Sequence, residues 1–341
     1  MKREISLNEP KGRRSRIARA SARLPQSNRT SMKAVAMDRY GPPAVLKLRR
    51  VPVPKPGPQE VLIALHSAGV GVWDKEVRTG AWRPFGRAKF PLVIGTDGAG
   101  VIVARGNAVK NFRVGDRVWG SNIEGGFYAE YVTENAKNIG HVPQRIDLLH
   151  AGAGTVTGLT ALQGIDDVLR VRKGEKVLIF GASGAVGTLA VQFARRKGAT
   201  VIATASGSDA ARMVRQLGAR YVIDARSRDV ANQLKRLAPK GIDAALVLAG
   251  GRNLEQFLDH IRPAGRVAYP NGVEPAPKKR RNVKVRSYNA EAGPREFARL
   301  KTAVEKAGLK VPLMEFPLAK AAKAHERLER GHILGRIVLR V

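Results

Sequence analysis

The sequence predicts an α/β protein in which a doubly wound parallel sheet is joined to a β-rich antiparallel region. The second half of the chain alternates short apolar runs with stretches of helical periodicity, as strands buried between two helical layers do. The first half has short strands interrupted by glycine and proline. A glycine-rich turn, GASGAVG at 181–187, separates an apolar run from a helical pattern. These features predict two structural units within 341 residues.

The antiparallel region begins at Met32, where short β patterns start. A proline-rich connector at 52–58 precedes a strand at 61–67. The segments PLVIGTDGAGVIVARG (91–106) and FRVGDRVWG (112–120) are strands interrupted by glycine.

The second half begins with a helix rich in small residues, GAGTVTGLTALQGI, followed by a β-α alternation. Helices are predicted near 294–307 and 318–330, before a last strand at 336–341. The predicted strands of the parallel sheet are 177–180, 200–204, 221–223, 244–248 and 266–269.

The glycine-rich turn is the first candidate site. Backbone N–H groups at the start of the following helix point into a crevice without side chains, and the helix dipole places positive charge there. The ligand expected at this turn is a phosphate or diphosphate.

Composition limits the function further. The chain has no cysteine, which excludes disulfides, thiolate catalysis and cysteine-ligated zinc, and no apolar run is long enough to span a membrane. Residues 1–31 carry nine Lys or Arg against two Glu and are predicted to be a disordered basic tail. The net charge of +33 predicts non-specific affinity for polyanions, unless it reflects a generally basic proteome or an acidic partner. A cytoplasmic location is expected.

Seven separated segments resemble, in order, the medium-chain dehydrogenase/reductase superfamily. The segments are AGVGVWD (68–74), PLVIGTDGAGVIVARG (91–106), FRVGDRVWG (112–120), GGFYAEYV (125–132), TGLTAL (157–162), VLIFGASGAVG (177–187) and PLAKAAKAHERLERGHILGRIVLRV (317–341). The resemblance implies a GroES-like catalytic domain at 32–152 and 283–341 and an inserted Rossmann NADP-binding domain at 153–282. It also implies an active cleft between the two domains and a homodimer.

The zinc-dependent members of this superfamily hold their metal with a Cys and a Gly-His-Glu segment. Here Gly71 stands near the place of the first ligand, and Thr96 and Asp97 stand where His and Glu would be. None of the six histidines has a partner at ligand spacing. We therefore expect no metal, and we expect His325 and His332 to be structural.

Among the zinc-free branches the chain is most similar to the quinone oxidoreductases, which are zeta-crystallin-like. That similarity implies hydride transfer from NADPH to a quinone or an α,β-unsaturated carbonyl, which requires no strong base from the protein. The family's asparagine in GVNPVD is replaced by Gly71, beside Asp74. Trp73, Trp82 and Phe85 are candidates to line a pocket for a flat ring, or else they pack in the core.

The second strand of the parallel sheet suggests which nicotinamide cofactor binds. No acidic residue follows this strand until Asp209, which favours NADP(H) over NAD(H). Two family positions that hold the 2′-phosphate are altered to Ala210 and Ala225, and Arg212 and Arg226 are candidates to replace them.

The remaining cofactor contacts follow from the resemblance. Gly184 is expected to allow close approach of the diphosphate, and Gly187 close packing of helix on strand. The other expected contacts are Thr157, Ala182, Ser183, Ala185, Val186, Thr204, Ser206, Leu248, Ala249, Tyr269 and Asn271.

Two alternatives stay open at the level of sequence. One is a reductase of the same fold that acts on an enoyl thioester, because Gly71 alters the pocket. The other is a basic nucleic-acid-binding protein with a vestigial or regulatory cofactor site, which the net charge and the stretch PAPKKRRNVKVR (275–286) favour.

Overall fold

The computed structural model of the protein describes residues 30–83, 86 and 89–341. Within them the predicted fold class is confirmed, because a parallel and a mostly antiparallel sheet are both present. The predicted basic tail lies almost entirely outside the described residues, as does Phe85.

The strands in chain order are β1 Ser31–Met37, β2 Lys47–Pro52, β3 Glu60–Val70, β4 Leu92–Val93, β5 Asp97–Arg105, β6 Arg117–Ser121, β7 Tyr131–Asn135, β8 Ile139–His141, β9 Lys176–Phe180, β10 Thr200–Thr204, β11 Tyr221–Ile223, β12 Ile242–Val247, β13 Ile261–Pro270, β14 Lys284–Tyr288, β15 Leu313–Pro317 and β16 Arg336–Arg340. The α-helices are α1 Val72–Thr79, α2 Leu148–Gln163, α3 Ala185–Arg196, α4 Ser208–Leu217, α5 Val230–Leu237, α6 Leu254–Leu258, α7 Pro294–Ala307 and α8 Ala321–Glu329. None of the described helices is long and apolar enough to cross a membrane.

Six parallel strands form the dinucleotide-binding sheet, in the order β11-β10-β9-β12-β13-β14. The strand order reverses between β9 and β12, and ligands of such sheets bind outside the carboxyl ends of the strands at this point. The turn that follows β9 is the glycine-rich turn. Strand β14 lies beyond residue 282, so the sheet continues past the predicted end of the Rossmann domain.

Strands from both ends of the chain share the second sheet. Its order is β15-β16-β3-β5-β6-β8, with β7 paired to β3. A small antiparallel sheet, β2-β1-β4, packs beside it.

Helix α2 joins the two sheets and explains why this segment is rich in small residues. A Cβ atom at Gly152 would lie 2.1 Å from the hydroxyl of Ser67, and one at Gly158 would lie 2.9 Å from the side chain of Leu300. The Ser67 hydroxyl also donates to the carbonyl of Leu148 at 2.6 Å. Larger residues at these positions would separate α2 from β3 and α7.

Candidate active site and cofactor crevice

A crevice of about 1150 Å³ lies at the carboxyl edge of the parallel sheet. It lies at the topological switch point, where a dinucleotide is expected. The predicted residues that line it are Ser183, Thr204, Ser206, Arg226 and Ala249.

The glycine-rich turn forms one wall of this crevice and has the geometry of a diphosphate cradle. Gly181 has a φ of +86°, which a glycine adopts without strain. A Cβ atom at Gly184 would meet nothing closer than 3.5 Å, so that a larger side chain there would project into open space. At Gly187 a Cβ atom would lie 2.3 Å from the carbonyl oxygen of Gly181, so this glycine is required for packing. The residues therefore fit a dinucleotide at the N-terminus of α3.

Two hydrogen bonds tie the turn to strand β10, and one of them joins the Ala182 N–H to the Thr204 carbonyl at 3.2 Å. The N–H of Gly181 donates to the Thr204 hydroxyl at 2.8 Å. Thr204 is buried, and its role in the structure is to fix the spacing between the first two strands of the sheet.

Beyond β10, a polar group that the sequence analysis did not single out contacts two residues that line the crevice, Ser206 and Arg226. The Asp224 carboxylate, which follows β11, accepts the Ser206 hydroxyl at 2.7 Å and the Arg226 N–H at 2.9 Å. The Arg226 guanidinium contacts the same carboxylate at 3.3 Å. Hydrogen bonds from Arg226 lower the pKa of Asp224 to about 2, so that the carboxylate is ionised at neutral pH.

The arginines around this end of the crevice differ in their partners. Arg212 donates to Asp209 at 2.6 Å, so both predicted phosphate ligands, Arg212 and Arg226, already pair with carboxylates. Arg228 and Arg252 also line the crevice, and neither makes an ion pair or hydrogen bond with any described residue. Arg228 and Arg252 could have been predicted from the sequence, because they follow β11 and β12 and the carboxyl ends of these strands lie at the same edge of the sheet.

The two halves of the molecule meet at the other end of the turn. The Gly335 N–H donates to the carbonyl of Ser183 at 2.8 Å, which places the start of β16 against the glycine-rich turn. Trp73, on α1, lies 3.3 Å from the position that a Cβ atom of Gly272 would occupy, after β13. Its ring also lies 5.1 Å from that of Trp82, tilted by 54°. These contacts place an aromatic surface where the two units meet, at the position expected for the active cleft.

Beneath the cleft lies a buried ionic cluster, formed by Asp74, Asp97 and Arg336. Arg336 donates to Asp97 at 2.5 Å, and the second oxygen of Asp97 accepts the N–H of Val156 at 3.0 Å. Asp74 accepts the backbone N–H groups of Gly71 at 2.7 Å and Thr96 at 3.0 Å.

The Arg336 guanidinium pairs with Asp97, and its charge also acts on the buried carboxyl of Asp74. Burial and the neighbouring charge of Asp97 raise the pKa of Asp74 to about 7. Arg336 is 5% exposed, and its Nε and Nη1 atoms have no hydrogen-bond partner among the described residues.

A second buried chain of side chains supports the cluster from below. The Tyr128 hydroxyl lies 3.1 Å from His325 Nε2, and Arg78 donates from Nε to His325 Nδ1 at 3.3 Å. The Arg78 guanidinium also pairs with Glu329. Burial, together with the charge of Arg78, lowers the pKa of His325 to about 3, so this histidine is neutral. His325 is enclosed and structural in its contacts.

His332 lies in the turn after α8, where the sequence analysis expects it. It is exposed, has a φ of +49° and borders the crevice, so that its side chain is open to a ligand there.

The positions that hold zinc in the metal-dependent branch do not fit a metal here. Gly71 carries no ligand atom, and Thr96 faces Asp74 through its backbone N–H. Among the described residues no group of three or more His, Cys, Asp or Glu side chains is arranged to hold a metal ion. The place of the ligands is taken instead by the Asp97–Arg336 pair.

The other predicted site residues lie around the crevice without lining it. Thr157 is buried on α2, where its hydroxyl donates to the carbonyl of Ala153 at 2.7 Å. Asn271 follows β13 and donates to Asn289 at 3.0 Å. The remaining predicted cofactor contacts lie in the glycine-rich turn, in the first turn of α3 or at strand ends; they are Ala182, Gly184, Ala185, Val186, Gly187, Leu248 and Tyr269.

Comparison with known families supports this architecture. Residues 57–144 match the model of the alcohol dehydrogenase GroES-like domain, and residues 185–284 match that of the zinc-binding dehydrogenases. Mouse quinone oxidoreductase is 30% identical over 316 residues, which cover 88% of this chain and 95% of the mouse protein.

Two solved structures share the fold over 91% of this chain. An NAD-dependent alcohol dehydrogenase superposes with a TM-score of 0.84 at 31% identity and covers 91% of this chain and 100% of its own. A mycobacterial protein in complex with NADPH superposes with a TM-score of 0.80 at 28% identity and the same coverage.

The fold, the crevice and these similarities define an NAD(P)-dependent oxidoreductase. Within that class, the chain belongs to the quinone oxidoreductase branch of the medium-chain dehydrogenase/reductase superfamily. It is an enzyme of the quinone reductase type.

Proposed function

We propose that the protein is a zinc-independent reductase that uses NADPH to reduce a quinone or an α,β-unsaturated carbonyl. The observation that carries the proposal is the replacement of the metal-ligand positions by Gly71, Thr96 and a buried ion pair, next to a dinucleotide crevice. A hydride acceptor of this kind needs a fixed cofactor and a dry, flat cleft rather than a Lewis acid.

In this proposal the bound nicotinamide cofactor supplies the hydride. The chain would hold the diphosphate at Ser183 and Gly184, and Thr157 on α2 would lie near the nicotinamide end of the cofactor. Trp73 and Trp82 form the wall against which a flat acceptor ring stacks. Because the acceptor's oxygen takes its proton after hydride addition, water or a buried carboxyl such as Asp74 is sufficient as the proton source.

The preference for NADPH is supported by the ribose end of the crevice. No acidic residue follows β10 directly, and Arg228 and Arg252 stand there without partners among the described residues. Formation of a homodimer and a cytoplasmic location stay predictions. Reduction of an enoyl thioester and binding of nucleic acid stay predictions as well.

The test is oxidation of NADPH, with NADH in parallel, by chelator-treated protein. The acceptors are a panel of ortho- and para-quinones, one enal and one enoyl thioester. We expect turnover with quinones that added zinc does not increase. Turnover with the thioester alone would replace the quinone assignment, and restoration of activity by zinc would refute metal independence.

A further inference from the structure

Asp224 has no role in the diphosphate cradle, yet it controls the polar groups at the ribose end of the crevice. Its carboxylate accepts hydrogen bonds from the Ser206 hydroxyl, the Arg226 backbone N–H and the Arg226 guanidinium. These are donors of the kind that bind a sugar phosphate. The carboxylate is ionised and its side chain is 42% exposed.

The loop that carries these groups is fixed in place. The Asn253 side chain donates to the carbonyls of Ala225 at 3.1 Å and Ser227 at 3.0 Å. Arg226 therefore leaves a constrained backbone, and its guanidinium is held on Asp224 at the edge of the crevice.

We propose that Asp224 is a specificity-determining residue that limits the preference for NADPH over NADH. The argument rests on the proposed function, since it assumes that the adenine ribose lies between β10 and β11. A 2′-phosphate at Ser206 must compete with the Asp224 carboxylate for Ser206 and Arg226, and it also meets a like charge. The ribose of NADH carries a hydroxyl in this place and meets neither penalty.

The experiment compares native protein, Asp224→Asn and Asp229→Asn. Asp229 is the matched control, because it is a carboxylate on the same connection that pairs with Arg236, whereas Asp224 contacts Ser206 and Arg226. Dissociation constants and KM values are measured for NADPH and NADH with one quinone. Asp224→Asn should lower the KM and the dissociation constant of NADPH by about fivefold, as removal of a unit charge about 4 Å away does in water. The values for NADH should stay unchanged, and Asp229→Asn should change neither cofactor.

A second pair of variants tests the mechanism through Arg226. Arg226→Gln should have little effect on NADPH binding in the native background, where Asp224 holds the guanidinium. In the Asp224→Asn background the same change should remove most of the gain. Thermal unfolding of each variant shows whether the folded state is retained.

Weaker binding of NADPH to Asp224→Asn would overturn the inference, because Asp224 would then orient Arg226 for the phosphate. Equal changes for both cofactors would overturn it as well. These outcomes are distinct from failure of the proposed function, in which the native protein would bind neither cofactor or would reduce no quinone with either.

Discussion

The cofactor crevice and the buried ionic cluster are built in opposite ways. The crevice is open, and its main wall is backbone: glycines whose missing side chains leave N–H groups free for a ligand. The cluster is closed and consists of side chains, with Asp97 at 0% and Arg336 at 5% exposure. Substitutions in the crevice should therefore affect binding without affecting folding. Substitutions in the cluster should affect folding first.

The largest expected effect is at the glycine-rich turn. Gly184→Val should fold normally, because its Cβ has room and its backbone φ of −78° suits any residue. The added side chain fills the cradle, so NADPH binding and quinone reduction should be lost. Cofactor fluorescence and steady-state assays measure this.

Gly187→Val is the contrasting variant, because its Cβ would lie 2.3 Å from the Gly181 carbonyl. It should lower the free energy of unfolding by about 1–3 kcal/mol through overpacking. Turnover by a folded Gly184→Val protein would contradict the assigned position of the diphosphate.

The next largest effect should follow from breaking the buried ion pair. Arg336→Met leaves Asp97 buried without a counter-charge, which costs about 3–5 kcal/mol in the free energy of unfolding. The control is Arg340→Met on the same strand, where the exposed pair with Glu315 contributes about 0–1 kcal/mol. Denaturant titration measures the free energy of unfolding of both variants. Equal decreases for Arg336→Met and Arg340→Met would mean that burial does not determine the contribution of an ion pair.

The buried histidine predicts a dependence of stability on pH. His325 is neutral in the folded protein with a pKa of about 3, whereas in the unfolded chain it takes up a proton near the ordinary histidine pKa of 6.5. The unfolded state binds more protons between these values, so stability falls as the pH falls from about 6.5 towards 3.

The contribution that His325 loses over this range is about 4 kcal/mol. His325→Gln should remove this part of the acid sensitivity, and His141→Gln, at an exposed site, should retain it. Unfolding curves at several pH values provide the measurement. An unchanged pH slope in His325→Gln would show that another group causes the acid sensitivity.

The smallest expected effect is at the aromatic wall. Trp73→Ala should raise the KM for a flat quinone about five- to tenfold, with less effect on the dissociation constant of NADPH. Trp73→Phe should retain most of the affinity for the quinone, because it keeps an aromatic ring at this position. A change in cofactor binding alone would show that Trp73 packs the domain contact rather than the acceptor.

This contrast also explains what the sequence could predict. The strand at Thr200–Thr204 and the glycine-rich turn were predictable, because a buried strand and a tight turn are specified by neighbouring residues. The Asp97–Arg336 pair joins residues 239 positions apart, and no local pattern indicates such a contact. Asp224 was not predicted for a related reason. The acidic residue that binds the ribose is expected after the second strand of the sheet, whereas Asp224 follows the third strand, whose end lies beside it.

The most direct test of the account is quinone-dependent oxidation of NADPH by the native protein after exhaustive treatment with a chelator, with Gly184→Val measured alongside. The account predicts metal-independent turnover by the native protein and none by the variant, with both proteins folded. Turnover that requires added zinc, or that survives in Gly184→Val, would contradict it.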